Sequence, residues 1–184
     1  MTARGPGGSA STRWGAGFTL LELMVVLVII AVVFSVAVLA MPTRAPTSAL
    51  QEEGERLVTL LRMAEEEAIV RSAPFGIGFD LQGYRFFMQR NGSWAELGEN
   101  GGAFRPRAVP EDIEYTLFVE GVETVLEARD QVERPQVFIL ASGEYLPAFE
   151  LELRMPFVGT PETNLRFVTL DEYGLPVLQT PDDR

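Results

Sequence analysis

From Gly17 to Met41 the chain reads Gly-Phe-Thr-Leu-Leu-Glu-Leu-Met-Val-Val-Leu-Val-Ile-Ile-Ala-Val-Val-Phe-Ser-Val-Ala-Val-Leu-Ala-Met, and after Phe18 the only ionisable side chain before Pro42 is Glu22. At about 1.5 Å per residue, a helix over 18–41 is roughly 36 Å long, enough to cross a hydrocarbon core of about 30 Å. The run therefore predicts a transmembrane helix over 18–41. A carboxylate at the centre of such a segment costs about 2.5–3.5 kcal/mol, and an ionisable group there marks a functional site by default.

Charge is divided unevenly around this run. Before Pro42 stand Arg4, Arg13 and Glu22; beyond it lie 13 arginines and 25 acids, a net charge of −12, and there is no lysine anywhere. An acidic surface of this kind argues against binding nucleic acid or anionic lipid, both of which need positive potential. The chain also lacks cysteine and histidine. Thiol nucleophiles, a Ser-His-Asp triad, disulfides and His- or Cys-ligated metal sites are thereby excluded. The length allows one anchor and one domain of ordinary size.

Residues 1–41 admit three readings. A secretory signal peptide would use Arg13 as its basic end and Val38-Leu39-Ala40 as a cleavage site, but the apolar run exceeds the 7–15 residues, roughly, of such a segment. A plain signal anchor would place Glu22 near the interface, with the basic flank holding the N-terminus in the cytoplasm. In the third, Gly17-Phe18-Thr19-Leu20-Leu21-Glu22, with a Gly- and Arg-containing leader before it and the apolar run after it, resembles the class III leader of type IV pilins and pseudopilins. That resemblance implies cleavage by a prepilin peptidase between Gly17 and Phe18, N-methylation of Phe18, and a role for Glu22 in assembly and register. Glu22 would pair with the N-terminal amine of a neighbouring subunit, since a buried carboxylate is tolerable once a cation faces it.

Past the membrane run, Pro42 and Pro46 predict a break, with Thr47 or Ser48 as N-cap of a second helical stretch. Leu50, Leu57, Leu61, Ala64 and Ala68 recur at helical spacing, broadened by Leu60 and Ile69, while Glu52, Glu53, Glu55, Glu65, Glu66 and Glu67 are expected on the solvated face. Pro74 ends the stretch. Strand patterns follow: 75–79 and 84–88 as a hairpin about Asp80-Leu81-Gln82-Gly83, a turn at Asn91-Gly92, a loop over 98–107, 113–120 and 122–127 about Gly121, 135–140, 145–153, 164–170 and 175–178. One long helix followed only by strands implies an α+β fold, the helix packed on a mostly antiparallel β-sandwich of pilin-like form.

No catalytic constellation emerges from these residues, and no cofactor or metal is implied. Gly76-Ile77-Gly78 sits in a strand pattern and points to close packing, not to a nucleotide loop. Asp171-Glu172 and Asp182-Asp183 lack the spaced acids and glycine of a calcium loop. Phe75, Phe79, Tyr84, Phe86, Phe87 and Phe138 are expected in the core.

A second resemblance lies in Arg134-Pro135-Gln136-Val137-Phe138-Ile139-Leu140-Ala141-Ser142-Gly143-Glu144, with Pro147 and Phe149 following. It is similar to the C-terminal region of the H-type minor pseudopilins of type II secretion, the GspH/FimT-like group. The two resemblances together imply a leader over 1–17, a membrane helix over 18–41, a linker and amphipathic half-helix over 42–73, and a periplasmic β-domain over 74–184. They imply a single-pass inner-membrane protein with its N-terminus in the cytoplasm, at or near the tip of a secretion pseudopilus, doing no chemistry. Its implied partners are the prepilin peptidase, the inner-membrane assembly platform, other minor and major pseudopilins, and the secreted substrate. A minor pilin of a type IV pilus, serving adhesion, assembly or DNA uptake, is the alternative, and the acidic domain disfavours its DNA-binding form.

Overall fold

The computed structural model describes residues 19–39, 46–98, 101–156 and 159–184. The chain divides into two compact units, Met1–Thr43 and Arg44–Arg184. In the first, helix α1 covers Leu20–Leu39. Among the described residues no helix is long and apolar enough to cross a membrane; residues 18, 40 and 41 of the span expected over 18–41 lie outside them. Pro42, where a break is expected, lies outside the described residues.

The second unit opens with helix α2, Pro46–Arg71. Proline suits a first helical position, because its fixed φ is already helical and its missing N–H would be unpaired there. The helix thus starts at Pro46, and Thr47 and Ser48, expected as caps, lie inside it. It ends in a Schellman motif: Ser72 is left-handed (φ 50°), Ala73 N–H donates to the Ala68 carbonyl and Ser72 N–H to that of Ile69, each at 3.2 Å. Pro74 then bars continuation, as expected.

Leu50, Leu57, Leu61, Ala64 and Ala68 are fully buried and Leu60 nearly so, as their spacing predicts. Each buried leucine contributes about 1.5–3 kcal/mol. Ile69, expected to broaden the stripe, is 48 % exposed. Near it, its Cδ1 would lie 3.1 Å from a Cβ at Gly143, so it lies against a loop instead of the core.

Among the described residues, eleven strands form two sheets, with all pairs antiparallel. The first has the order β3 (Ser93–Glu96), β2 (Gly83–Arg90), β1 (Phe75–Asp80), β7 (Val137–Ile139), β8 (Tyr145–Leu146), with β4 (Arg107–Ala108) also on β2. The second runs β11 (Pro176–Gln179), β10 (Leu165–Leu170), β9 (Phe149–Arg154), β5 (Glu114–Val119), β6 (Val122–Thr124). A short helix α3, Pro161–Asn164, precedes β10. Inner faces carry Phe75, Ile77, Phe79, Tyr84 and Phe86 from one sheet and Leu117, Leu151, Leu153 and Val168 from the other, all in one core with the stripe of α2. Tyr84 stacks on Tyr115 across the sandwich, ring centroids 6.5 Å apart. Helix α2 touches β1 and β7 of the first sheet and β9, β10 and β11 of the second.

Three expectations change. The single strand expected over 145–153 is two strands, β8 in one sheet and β9 in the other, parted at Pro147 by a proline that has no N–H to continue a ladder. A strand, β3, follows Asn91-Gly92, whose φ values of 50° and 80° give a type I′ hairpin turn. Phe138, expected in the core, lies half-buried on the outer face and stacks on Trp94, centroids 5.5 Å apart.

The outer face of the first sheet explains Gly76 and Gly78. A Cβ at Gly76 would sit 2.5 Å from Pro135 Cγ, and one at Gly78 2.8 Å from Phe87 Cε2. The segment leading into β7 lies directly over this face. Gln136 extends the pairing with its side chain, accepting the Phe79 N–H and donating to the Phe79 carbonyl, both at 2.8 Å.

Candidate assembly site

Gly17 and Phe18 lie outside the described residues; Glu22 lies in the first turn of α1. Thr19 precedes that turn. Its carbonyl accepts the Leu23 N–H and its Oγ1 the Glu22 N–H, both at 3.2 Å. This is N-cap geometry, and the Thr-x-x-Glu spacing puts Glu22 at the third helical position, where the helix dipole favours an anion. The local sequence thus starts the helix and seats the carboxylate together.

Every side chain described on this unit, from Thr19 to Val33, is exposed, including Leu20 at 77 % and Leu21 at 73 %. A helix apolar on all sides has no stripe to lay on a core and needs an apolar environment from elsewhere. Glu22 is the one carboxylate on α1, and α1 contains no basic residue. A cation for it must therefore come from outside this helix.

Two further carboxylates are placed where the sequence reading did not expect them. Glu53, expected on the solvated face of α2, is 1 % exposed. Its Oε1 accepts from Tyr115 Oη at 2.7 Å and its Oε2 from the Arg56 guanidinium. The signal was present, since Glu53 falls three residues after Leu50 and four before Leu57, on the apolar stripe itself. Tyr84 Oη is buried with no hydrogen-bond partner among the described residues.

Asp80, expected only as a turn residue, is fully buried. Its Oδ1 accepts the Gln82 N–H at 2.8 Å; its Oδ2 lies 3.0 Å from Arg129 Nε and 3.5 Å from Arg85 Nε. Arg85, 8 % exposed, also reaches Glu96 at 2.7 Å and donates to the carbonyls of Arg129 and Val132. These groups fasten the 3-10 turn Arg129–Gln131 and the segment after it over the outer face. The two acidic pairs near the C-terminus serve turns: Asp171 Oδ1 accepts the N–H of Tyr173 and of Leu175, each at 2.9 Å, and Asp183 accepts from Thr180. Among the described residues no three metal-binding side chains cluster.

Burial, then the adjacent charge of Glu53, pushes the pKa of Tyr115 and Tyr84 well above the ordinary tyrosine value; burial, then Glu65, does so for Tyr145. Raised folded-state values mean that stability is intact below the unfolded value of about 10 and falls as pH rises beyond it. An alkaline titration should therefore show tyrosinate absorbance of these three rising together with loss of far-UV circular dichroism. Tyr115→Phe should flatten the fall. Ionisation of all three in a protein that keeps its dichroism is the contrary result.

Comparison with known proteins agrees with this architecture. Residues 16–38 match the prokaryotic N-terminal methylation motif, and residues 53–171 match the family described as type II transport protein GspH. The chain is 30 % identical over 173 residues to type II secretion system protein H of Pseudomonas aeruginosa, spanning 89 % of this chain and 95 % of that protein. It is 27 % identical to the protein of the same name from Escherichia coli K12, spanning 91 % and 96 %. Among solved structures it is similar to the minor pseudopilin EpsH of the Vibrio cholerae type 2 secretion system, with TM-score 0.60 and 21 % identity over 73 % of this chain and 98 % of that one. The solution structure of E. coli GspH gives TM-score 0.55 at 21 % identity, over 77 % and 93 %. At that identity the structures speak for the fold.

Proposed function

The chain belongs to the GspH family of type II transport proteins, and from that premise we propose that it assembles at or near the tip of a type II secretion pseudopilus to support protein export. Its role in secretion is that of a minor pseudopilin. The observation that carries this reading is the family match over 53–171 joined to the methylation motif over 16–38, so that anchor and domain point the same way. The family is one of structural subunits, and we read this member as doing no chemistry.

In this reading the prepilin peptidase cuts between Gly17 and Phe18, and Phe18 is methylated on its new amine. The helix over 18–41 then holds the subunit in the inner membrane, with the residues beyond it in the periplasm. Other pseudopilins, major and minor, supply the apolar surroundings that the exposed side chains of α1 lack. Glu22 pairs with the N-terminal amine of a neighbour, which makes burial of the carboxylate favourable only in the assembled state.

Mass spectrometry of the protein from its own membrane should give an N-terminus at methyl-Phe18. An N-terminus near Met41 would overturn the assignment. Glu22→Leu should remain inserted and processed while its recovery with partner pseudopilins falls about tenfold or more, the scale of a lost buried ion pair. Unchanged co-assembly of that variant rules out the register role.

A further inference from the structure

The second sheet ends at β6, and among the described residues no strand pairs with its outer side. Strands β5 and β6 are joined through Glu120-Gly121, with φ values of 51° and 78°, and Val119 faces Val122 as the closing pair. In a two-residue hairpin the closing pair is hydrogen-bonded, so the N–H and C=O of Glu123 point away from β5. Edge strands are ordinarily blunted by shortness, charge, proline or a bulge, and β6 has the first two, in its three residues and Glu123, but no proline. Here β6 reads Val-Glu-Thr, with Val122 68 % exposed and Val125 just beyond it 85 % exposed.

A groove of about 640 Å³ lies beside this edge. It is lined by Val119 and Thr124 of the hairpin and by Phe138 and Pro147, with Glu127, Glu133 and Arg134 also in its lining. By the strand alternation, Val122 and Thr124 share the face of Val119, toward the groove, while Glu123 points to the opposite face. A strand laid on β6 would therefore send every second side chain into the groove and the others alongside Glu123.

We propose that the β6 edge and this groove form a strand-addition site for an extended segment of a partner polypeptide in which apolar residues alternate with arginine or lysine. The backbone of Glu123 supplies pairing, and the apolar walls receive the inward residues. Glu120 and Glu123 meet the basic ones on the opposite face, while Glu127, Glu133 and Arg134 belong to the lining of the groove. Neighbouring Arg129 is engaged by Asp80. This is the mode in which main-chain bonds give affinity and alternate side chains give selectivity.

The test uses the full chain in detergent micelles with Trp14→Phe, which leaves Trp94, stacked on Phe138, as the one tryptophan. The probe is a blocked eight-residue peptide alternating arginine and valine. Saturable change in Trp94 emission is expected, with slowed hydrogen exchange at the Glu123 and Val125 amides. Binding should weaken on going from about 0.1 to about 1 M salt, where the screening length falls from about 10 to about 3 Å. Glu123→Pro, whose N–H already points outward and whose ladder with β5 is kept, should weaken binding about tenfold or more. Glu123→Gln should lose only the salt-sensitive part. Equal binding of the peptide with glutamate in place of arginine, or unchanged affinity of Glu123→Pro, overturns the proposal. So does dimerisation of the free chain that Glu123→Pro abolishes, which would assign the edge to a second copy.

Discussion

Asp80→Ala is expected to lower folding stability by about 3–5 kcal/mol, the cost of removing one partner from a buried ionic group. Asp80 is fully buried, and its two oxygens together hold Arg129, Arg85 and the Gln82 N–H. Without it, the Arg85 guanidinium remains in an enclosed site with Glu96 as its remaining carboxylate partner among the described residues, and the 3-10 turn at Arg129 loses one of its tethers. Arg129→Ala should cost much less, about 1 kcal/mol, because that side chain is a third exposed and water replaces part of what it gives. Urea denaturation of both single variants and the double variant checks this. If Asp80→Ala shifts stability by no more than Arg129→Ala does, the network is not centred on the carboxylate.

A second large effect is expected at Glu53. Glu53→Ala should cost about 3 kcal/mol, from an unsatisfied Tyr115 hydroxyl and the space left where the side chain was. Glu53→Gln keeps the volume and an acceptor for Tyr115, and loses only a pairing with Arg56, which is 37 % exposed. It should cost about 1 kcal/mol or less. For a chain of this size, each kcal/mol moves the melting temperature by about 2–4 °C, so the two variants should separate clearly in a thermal scan. Equal losses would mean that charge, and not the hydrogen bond to Tyr115, dominates at this position.

Much of the fold was legible because local chemistry and long-range packing ask for the same residues. The stripe on α2 is read from its period, and Leu151 and Leu153 alternate with Glu150 and Glu152 because one face of β9 is buried and the other is not. Pro74 stops a helix whose last carbonyls the Schellman bonds satisfy. The close packing inferred for Gly76 and Gly78 has a physical partner in Pro135 and Phe87. What stayed hidden depends on contacts distant in sequence. Residue type alone places Glu53 outside although its spacing puts it on the stripe, and its burial is made tolerable by Arg56 nearby and by Tyr115, far along the chain. Asp80 reads as an ordinary turn residue until Arg129 arrives from the segment before β7. The change of sheet at Pro147 is equally obscure in a pattern that alternates smoothly on both sides.

The leader motif singles out Gly17, Phe18 and Glu22 as a set because it rests on residue identity at fixed spacing, and residues 16–38 match the N-terminal methylation motif. The open edge at β6 left no such signature. An unpaired backbone is a property of strand order, and strand order emerges only when β5 finds β9.

The grip of α2 on both sheets has a mechanical consequence. Besides its apolar stripe, the helix receives the Tyr145 hydroxyl on the Leu61 carbonyl at 2.9 Å and reaches out through Arg62 to the Pro176 carbonyl at 3.1 Å. A pull on its N-terminal end is therefore carried at once by strands of both layers. Such a load shears many contacts in parallel and cannot peel one strand at a time. A load applied at the start of α2 would leave the β-domain intact, with the force borne by the core that the helix and both sheets share.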